Sequence, residues 1–492
     1  MAIPSFREFK RLANQGNLIP LFEEIHFDWE TPISAFRKID VGPFSFLLES
    51  VEGGETWGRY TFAGSNPSHI FRSKQETFEI LKNSEVLRRG EARDPLKPLE
   101  KFLAEYRPVL HDSLPPFFGG AVGYLSYDVV RSFEKLPALQ PQDLAVYDCY
   151  FMITDTLLIF DNLKHKVTVV SHVFLDGRQS LEEAYREGEE KIRRLVAKLQ
   201  VPIDPVPRPR SNSSSGLHSN FSKDEFVKSV EQAKEYIQAG DIIQVILSQR
   251  FSNDVHCEPF DVYRALRSVN PSPYLFYLKM EDTVLLGASP EVMARLVGSQ
   301  IEVRPLAGTR PRGKTPEQDL EMEKDLLGDE KERAEHIMLV DLGRNDVGRV
   351  SEIGTVDVTL LMGVERYSHV MHMVSNIRGH LAPGKNAFDV FRATFPAGTV
   401  SGAPKIRAME IIEELEPVRR GPYAGAVGYF SFSGNLDTCI TIRSMLIKDG
   451  KAYVQTGAGI VADSVPEREF DETLNKAQAI FRAFQRAEEG LK

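Results

Sequence analysis

Gly120-Ala121-Val122-Gly123-Tyr124-Leu125-Ser126-Tyr127 returns late in the chain as Gly425-Ala426-Val427-Gly428-Tyr429-Phe430-Ser431-Phe432. Both stretches read as strands, because β-branched and aromatic residues alternate with small ones. Glycine inside a strand gives up side-chain packing, and it marks a place where a second backbone or a ligand comes close. Two matched strands of this kind imply that both halves of the chain build one related sheet system.

Between the two stretches lies VPIDPVPRPRSNSSSGLHSN, residues 201–220, rich in Pro and Ser with almost nothing to bury. It reads as a linker, dividing the chain into an N-terminal region, 1–200, and a longer C-terminal region, 221–492. After it, Ser222 and Glu225 form a capping-box pattern, and Phe226, Val230, Ala233 and Ile237 make an apolar stripe that Gly240 ends. Ile242 to Leu247 and Val284 to Leu286 read as buried strands.

With 42% hydrophobic and 26% charged residues, the 492-residue chain can bury a large core. A net charge of -10 argues against nucleic acid as the main partner. No apolar run reaches membrane-spanning length, and the first residues lack the pattern of a signal peptide. Cys149, Cys257 and Cys439 stand far apart without a Cys-x-x-Cys pair, which predicts neither disulfides nor a zinc knuckle and suits a reducing cytoplasm.

Pro396-Ala397-Gly398-Thr399-Val400-Ser401-Gly402-Ala403-Pro404-Lys405 puts small residues beside a cation, just ahead of Ile406, Met409, Ile412 and Leu415 at helical spacing. Ser401 is the expected N-cap, and such a helix start suits an anion. Gly308-Thr309-Arg310-Pro311-Arg312-Gly313-Lys314-Thr315 fits the phosphate-loop pattern letter for letter. Pro311, however, removes an N–H that would wrap the phosphate. Thr315, Pro316 and Gln318 read as an ordinary helix start, and 337–341 reads as helix opened by Asp329 and Glu332, not as an acidic strand. A nucleotide-binding protein therefore stays only as the alternative from another class.

Glu332 and Glu335 are three residues apart on that helix. Glu469 and Glu472 repeat the spacing on a second helix, with Ser464 and Glu467 as its expected capping box and Phe470, Leu474, Ala477 and Phe481 on its buried side. Four carboxylates on two helices can hold a hard cation, with Mg2+ favoured if a substrate adds its own carboxylate. The plain alternative is a solvated acidic face. Gly457-Ala458-Gly459 offers backbone N–H groups at an expected strand-to-loop junction, and Arg443 can fork onto a carboxylate.

The runs AEHIMLVDLGRND (334–346), YSHVMHMVS (367–375), FPAGTVSGAPKIRAM (395–409), LDTCITIRS (436–444), QTGAGIVADS (455–464) and EFDETLNKA (469–477) resemble the chorismate-utilising enzymes. The resemblance is strongest to the component I branch of the anthranilate synthases, carbon–oxygen lyases of tryptophan biosynthesis. It spans nearly the whole chain. It implies an α+β fold of large antiparallel sheets packed face to face and surrounded by helices. It also implies amination of chorismate at ring C2 with loss of the C4 hydroxyl, followed by elimination of pyruvate.

By the same resemblance, Glu335 and Glu472 hold Mg2+ with Glu332 and Glu469 in support. Tyr423, Arg443, Gly308, Thr309 and the amides of Gly457, Ala458 and Gly459 hold chorismate. Glu291 is the acid for the departing hydroxyl, His372 assists elimination, and Thr399 and Gln244 join them as catalytic residues. Relatives that add water carry a lysine where this chain has Gln244, which cannot deprotonate water. Aminodeoxychorismate synthases, the within-family alternative, usually carry a lysine nucleophile where this chain has Ala307.

None of the three cysteines has the glycine flanks of a glutaminase nucleophile. The family accordingly implies a separate glutamine amidotransferase subunit and a heterotetramer of two large and two small subunits. Leu48, Glu49 and Ser50, with Pro273, Tyr274 and Leu275, match the family's pocket for L-tryptophan as feedback inhibitor. The plain alternative there is an alternating strand and a rigid proline turn. A catalytically silent tryptophan sensor is the binding-module alternative.

Overall fold

The computed structural model describes residues 2–26, 30–50, 58–203, 217–367 and 370–490. Residues 204–216 of the expected linker lie outside that set. Among the described residues, two twelve-stranded sheets make up the centre of the molecule. The repeated glycine stretch forms neighbouring strands of one of them, Gly120–Leu125 and Ala426–Ser431. They pair antiparallel with each other, so that Gly123 stands opposite Gly428 and Gly120 opposite Ser431.

The glycines are there because the backbones leave no room. A Cβ on Gly123 would sit 1.9 Å from the carbonyl oxygen of Tyr150, and one on Gly428 2.1 Å from that of Asp437. Both sheets mix strands from either side of residues 201–220. In the other sheet Phe44–Glu49 pairs antiparallel with Tyr274–Met280, which pairs with Thr283–Ser289. That sheet continues through Ser444–Lys448 and Lys451–Ile460 to Gln244–Asp254. The N-terminal and C-terminal regions thus share both sheets.

The sheets face each other across one apolar interior that includes Phe46, Phe62, Leu278 and Leu446 from one and Val122, Tyr124, Val427 and Tyr429 from the other. The Phe62 and Tyr429 rings meet edge to face at 6.1 Å. Each large side chain buried there contributes roughly 1.5–3 kcal/mol. Helices cover both outer faces, with separate apolar clusters beneath them. The α+β sandwich expected from the sequence is the fold observed. No helix among the described residues is long and apolar enough to cross a membrane.

Of the helix starts expected from the sequence, two are set by local chemistry and two are not. Ser222 and Glu225 form the expected box at Lys223–Gln238, and Asp329 caps Glu330–Gly348 through the amides of Lys331 and Glu332. Ser401, in contrast, is not an N-cap. Pro404 precedes the helix Lys405–Leu415, while the Ser401 hydroxyl donates to the Ala397 carbonyl. Gly402 and Ala403 pair with Val245 and Gln244 as a short strand, so tertiary pairing captured the segment. Ser464 is likewise not a cap. Val465 precedes Pro466–Glu488, and the Ser464 hydroxyl accepts from the Val461 amide.

The phosphate-loop reading fails on geometry. Leu306–Pro311 is a strand, Gly313 donates its amide to Asp319 Oδ1 at 2.7 Å, and Arg312 pairs with the same carboxylate. The loop is folded around its own aspartate.

Candidate active site

Glu291 sits in the two-residue turn that carries the chain from Thr283–Ser289 in one sheet to Val292–Val297 in the other. That crossing buries it. Burial lifts its carboxyl to about 8, against the pull of the Thr399 hydroxyl, the Leu306 amide and the Arg443 guanidinium. At neutral pH this carboxyl keeps its proton.

His372 lies on Val370–His380, buried opposite Thr309 in the register of the neighbouring strand. Its Nδ1 is 3.0 Å from the Thr309 hydroxyl and 3.2 Å from the Gly308 carbonyl oxygen. A carbonyl only accepts, so it favours the Nδ1–H tautomer and leaves Nε2 as the basic nitrogen. Burial lowers the imidazole to about 4, and the charge of Arg443 pushes the same way. Arg443 stands at φ +50° where Ala288 donates its amide to the Arg443 carbonyl at 3.1 Å. Burial lowers its pKa, while Glu291 and Tyr367 oppose the shift. Glu291, His372, Thr399, Thr309, Gly308 and Arg443 therefore form one connected group that runs from the buried Glu291 and His372 to the exposed Thr309.

A more open group adjoins the edge of the other sheet. Gln244 donates from Nε2 to Glu335 Oε1 at 2.6 Å, and its own Oε1 is buried without a partner. Gly459 is close enough that a Cβ there would lie 2.8 Å from that Nε2. Gly457, Ala458 and Gly459 lie inside the strand Lys451–Ile460, not at the expected junction with a loop. Gln244–Asp254 pairs with one edge, whereas Ser444–Lys448 reaches only residues 451–453 on the other, so among the described residues no strand covers that second edge at the glycines. Tyr423 is buried next to them, 2.9 Å from where a Gly457 Cβ would be, and burial pushes its phenol up to about 12.

Glu472 joins this group through Lys476, whose Nζ lies 2.7 Å from Glu472 Oε1 and 2.9 Å from the Gly457 carbonyl. Burial raises the Glu332 carboxyl and the charge of Glu335 raises it further, with Arg310 opposing. Burial also raises Glu469, where the Ser464 hydroxyl opposes and Glu472 adds to the shift. Each acid pair thus repels itself.

Among the described residues no three His, Cys, Asp or Glu side chains close into a metal cluster. The all-oxygen donor set, the mutual repulsion and the orphaned Gln244 oxygen nonetheless fit a hard cation that takes ligands from outside the chain as well.

The two segments expected to hold an inhibitor are neighbours, since Leu275 pairs with Glu49 and Phe276 with Leu48. Glu49 is buried and accepts from the Tyr263 hydroxyl at 2.5 Å and from Arg267 Nε at 3.1 Å. Tyr274 donates its hydroxyl to Asp437 at 2.7 Å and faces Ser289 in the register, two residues before Glu291.

Sequence reading missed Lys476, although its position four residues after Glu472 on one helix is a visible signal. It also missed the buried pairs Glu416–Arg420, at 2.6 Å, and Asp346–Lys405, at 2.6 Å. In the second pair the partners are far apart in the chain, and no spacing rule finds them.

The profile of the family described as chorismate binding enzyme matches residues 45–482. Anthranilate synthase component 1 of Acetivibrio thermocellus is 47% identical over 499 residues, covering 99% of this chain and 100% of that one. The same component of Aquifex aeolicus is 48% identical over 490 residues, covering 99% and 98%. The crystal structure of anthranilate synthase component I from Streptococcus pneumoniae superposes with a TM-score of 0.78 at 37% identity, over 93% of this chain and 98% of that one. The menaquinone-specific isochorismate synthase of Escherichia coli has the same fold, with a TM-score of 0.72 at 21% identity over 97% and 98%. The chain described here belongs to the chorismate-binding enzyme family, within its anthranilate synthase component I branch.

Proposed function

We propose that the chain converts chorismate and ammonia to anthranilate and pyruvate. The observation that carries this reading is Glu291, a sealed carboxyl raised to about 8 that can donate a proton at neutral pH. In the first step ammonia bonds to ring C2, the C4–O bond breaks, and the Glu291 proton leaves with the hydroxyl as water. In the second, the C2 hydrogen departs as a proton, the enolpyruvyl ether bond breaks, and the methylene carbon of the leaving enolpyruvate takes up a proton to give pyruvate. His372, neutral with Nε2 as its basic nitrogen, supplies a proton acceptor for that step.

Thr309 and the Gly308 carbonyl hold the imidazole in orientation. Arg443 and Tyr423 suit carboxylate binding, with the uncovered edge at Gly457–Gly459 alongside. Gln244 favours ammonia over water because an amide cannot act as a base. Mg2+ held by Glu335 and Glu472, with Glu332 and Glu469 nearby, would neutralise the ring carboxylate. Ala307 does not offer the lysine nucleophile of the aminodeoxychorismate branch.

In this reading a separate glutamine amidotransferase subunit supplies the ammonia, two copies of each subunit assemble, and the enzyme works in the cytoplasm. L-tryptophan inhibits by occupying the pocket between residues 48–50 and 273–275. The test is incubation with chorismate, Mg2+ and ammonium, with and without tryptophan, and identification of the product by fluorescence and mass. Aminodeoxychorismate as the product, or no chorismate consumed, would overturn the reading.

A further inference from the structure

Glu291 and Asp346 line the same cavity, of about 30 Å3, together with Pro305, Leu342, Thr394 and Thr399. A cavity of this size holds a water where polar partners are present. The Thr399 hydroxyl is fully buried there and makes no hydrogen bond of ordinary geometry. On its far side Asp346 also lines a groove of about 290 Å3, with Asn345, Arg349 and Lys405. Asn345 and Arg349 are exposed, so the groove meets solvent. Lys405 Nζ is 2.6 Å from Asp346 Oδ2. Nothing in the reaction described above uses this pair, yet it stands between Glu291 and the surface.

We infer that Asp346 and Lys405 return a proton from solvent to Glu291 after each turnover, through water in the shared cavity. The inference rests on Glu291 acting as general acid. Each turnover breaks the Glu291 O–H bond and leaves a carboxylate. The Lys405 ammonium passes a proton to the Asp346 carboxylate, Asp346 passes it to a cavity water, and that water gives one to Glu291. Lys405 then regains its own proton from water in the groove, which restores the ion pair. The charged groups facing this route are Arg443 at the Glu291 end and Arg349 and Glu134 around Lys405. Burial raises Asp346 and lowers Lys405, which brings donor and acceptor closer in proton affinity than they are in water.

Asp346 is a positioning and relay residue in this scheme, so its test separates first from later turnovers. The full chain is mixed with chorismate, Mg2+ and ammonium, with enzyme and then substrate in excess, and anthranilate fluorescence is followed. In Asp346→Asn the first turnover uses the proton already on Glu291 and should run within about twofold of the unmodified chain. Steady-state kcat should fall about tenfold or more, with the KM for chorismate unchanged. Asp346→Asn leaves Lys405 buried without its counter-charge, so two further variants keep the test sound. Asp346→Asn combined with Lys405→Met removes both charges, and Leu342→Phe fills the cavity. Both should give the same split.

First and later turnovers slowed equally, or a steady state unchanged in all three variants, would overturn the route and leave the functional reading intact. An unmodified chain that makes no anthranilate overturns that reading, and the route with it.

Discussion

Two sets of carboxylates in this molecule have opposite surroundings. Glu291 sits in a turn between the two sheets, sealed from solvent and raised to about 8. Glu335 and Glu472 sit on helices beside an uncovered strand edge, and Glu472 keeps about half of its side chain exposed, at 49%. The same functional group is therefore prepared for two tasks by burial alone. The sealed acid holds its proton at neutral pH, whereas the open acids are the proposed ligands of a cation. The helices Glu330–Gly348 and Pro466–Glu488 pack against different sheets, and Glu335 reaches the Gln244 amide while Lys476, beside Glu472, reaches the Gly457 carbonyl.

The sharpest way to break this comparison is to neutralise an open acid. Glu335→Gln should abolish Mg2+-dependent turnover, and near-normal activity at saturating Mg2+ would remove Glu335 from the ligand set. Glu291→Gln keeps the shape of the sealed acid and deletes its proton. We expect kcat to fall by roughly 10²–10⁴ with the KM for chorismate little changed, read by steady-state fluorescence. A fall in binding instead of turnover would assign Glu291 to substrate holding.

A third substitution asks whether the sealed site answers to the strand beside it. Ser50→Phe should relieve tryptophan inhibition and leave catalysis intact, measured as residual rate over a tryptophan titration. Unchanged inhibition would exclude Ser50 from the pocket.

The smallest effect concerns pH. A general acid works while protonated, so the rate carried by Glu291 should decline as pH rises through about 8. The Thr399 hydroxyl lowers that pKa, and Thr399→Val should move the decline to higher pH with a rate loss of about tenfold or less. A shift to lower pH would mean that the hydroxyl acts elsewhere.

The sequence was most legible where one residue type has one physical use. The paired glycine stretches announced a close approach of strands, and they pair with each other. The Ser222 box and the Asp329 cap read correctly, and Asp329 keeps its cap on Oδ1 while Oδ2 accepts from Arg310. Ser401 and Ser464 carry the same local signal and do something else. A strand captured the segment of the first, and the Val461 amide took the second.

Candidate site residues are harder to judge from sequence because burial is a property of the assembled sheets. Nothing in the local sequence of Glu291 marks it as buried, yet it sits in a sealed turn between strands. The Gly457–Gly459 amides were expected at a loop but sit on a strand edge that its neighbour stops short of covering. Asp346 and Lys405 meet only through the packing of two helices, which leaves no trace in local spacing.

The glycine seam also shapes how the chain is made. The first two hundred residues leave the ribosome as open sheet edges, with Phe44–Glu49 and Gly120–Leu125 still without Tyr274–Met280 and Ala426–Ser431. Such edges are templates for association with any extended strand nearby. Native closure waits until nearly the whole polypeptide has been synthesised, so folding is dominated by distant contacts and is slow. A nascent chain of this design depends on shielding during translation. Splitting it at residues 201–220 would yield two mutually dependent fragments, each a half-laced shoe.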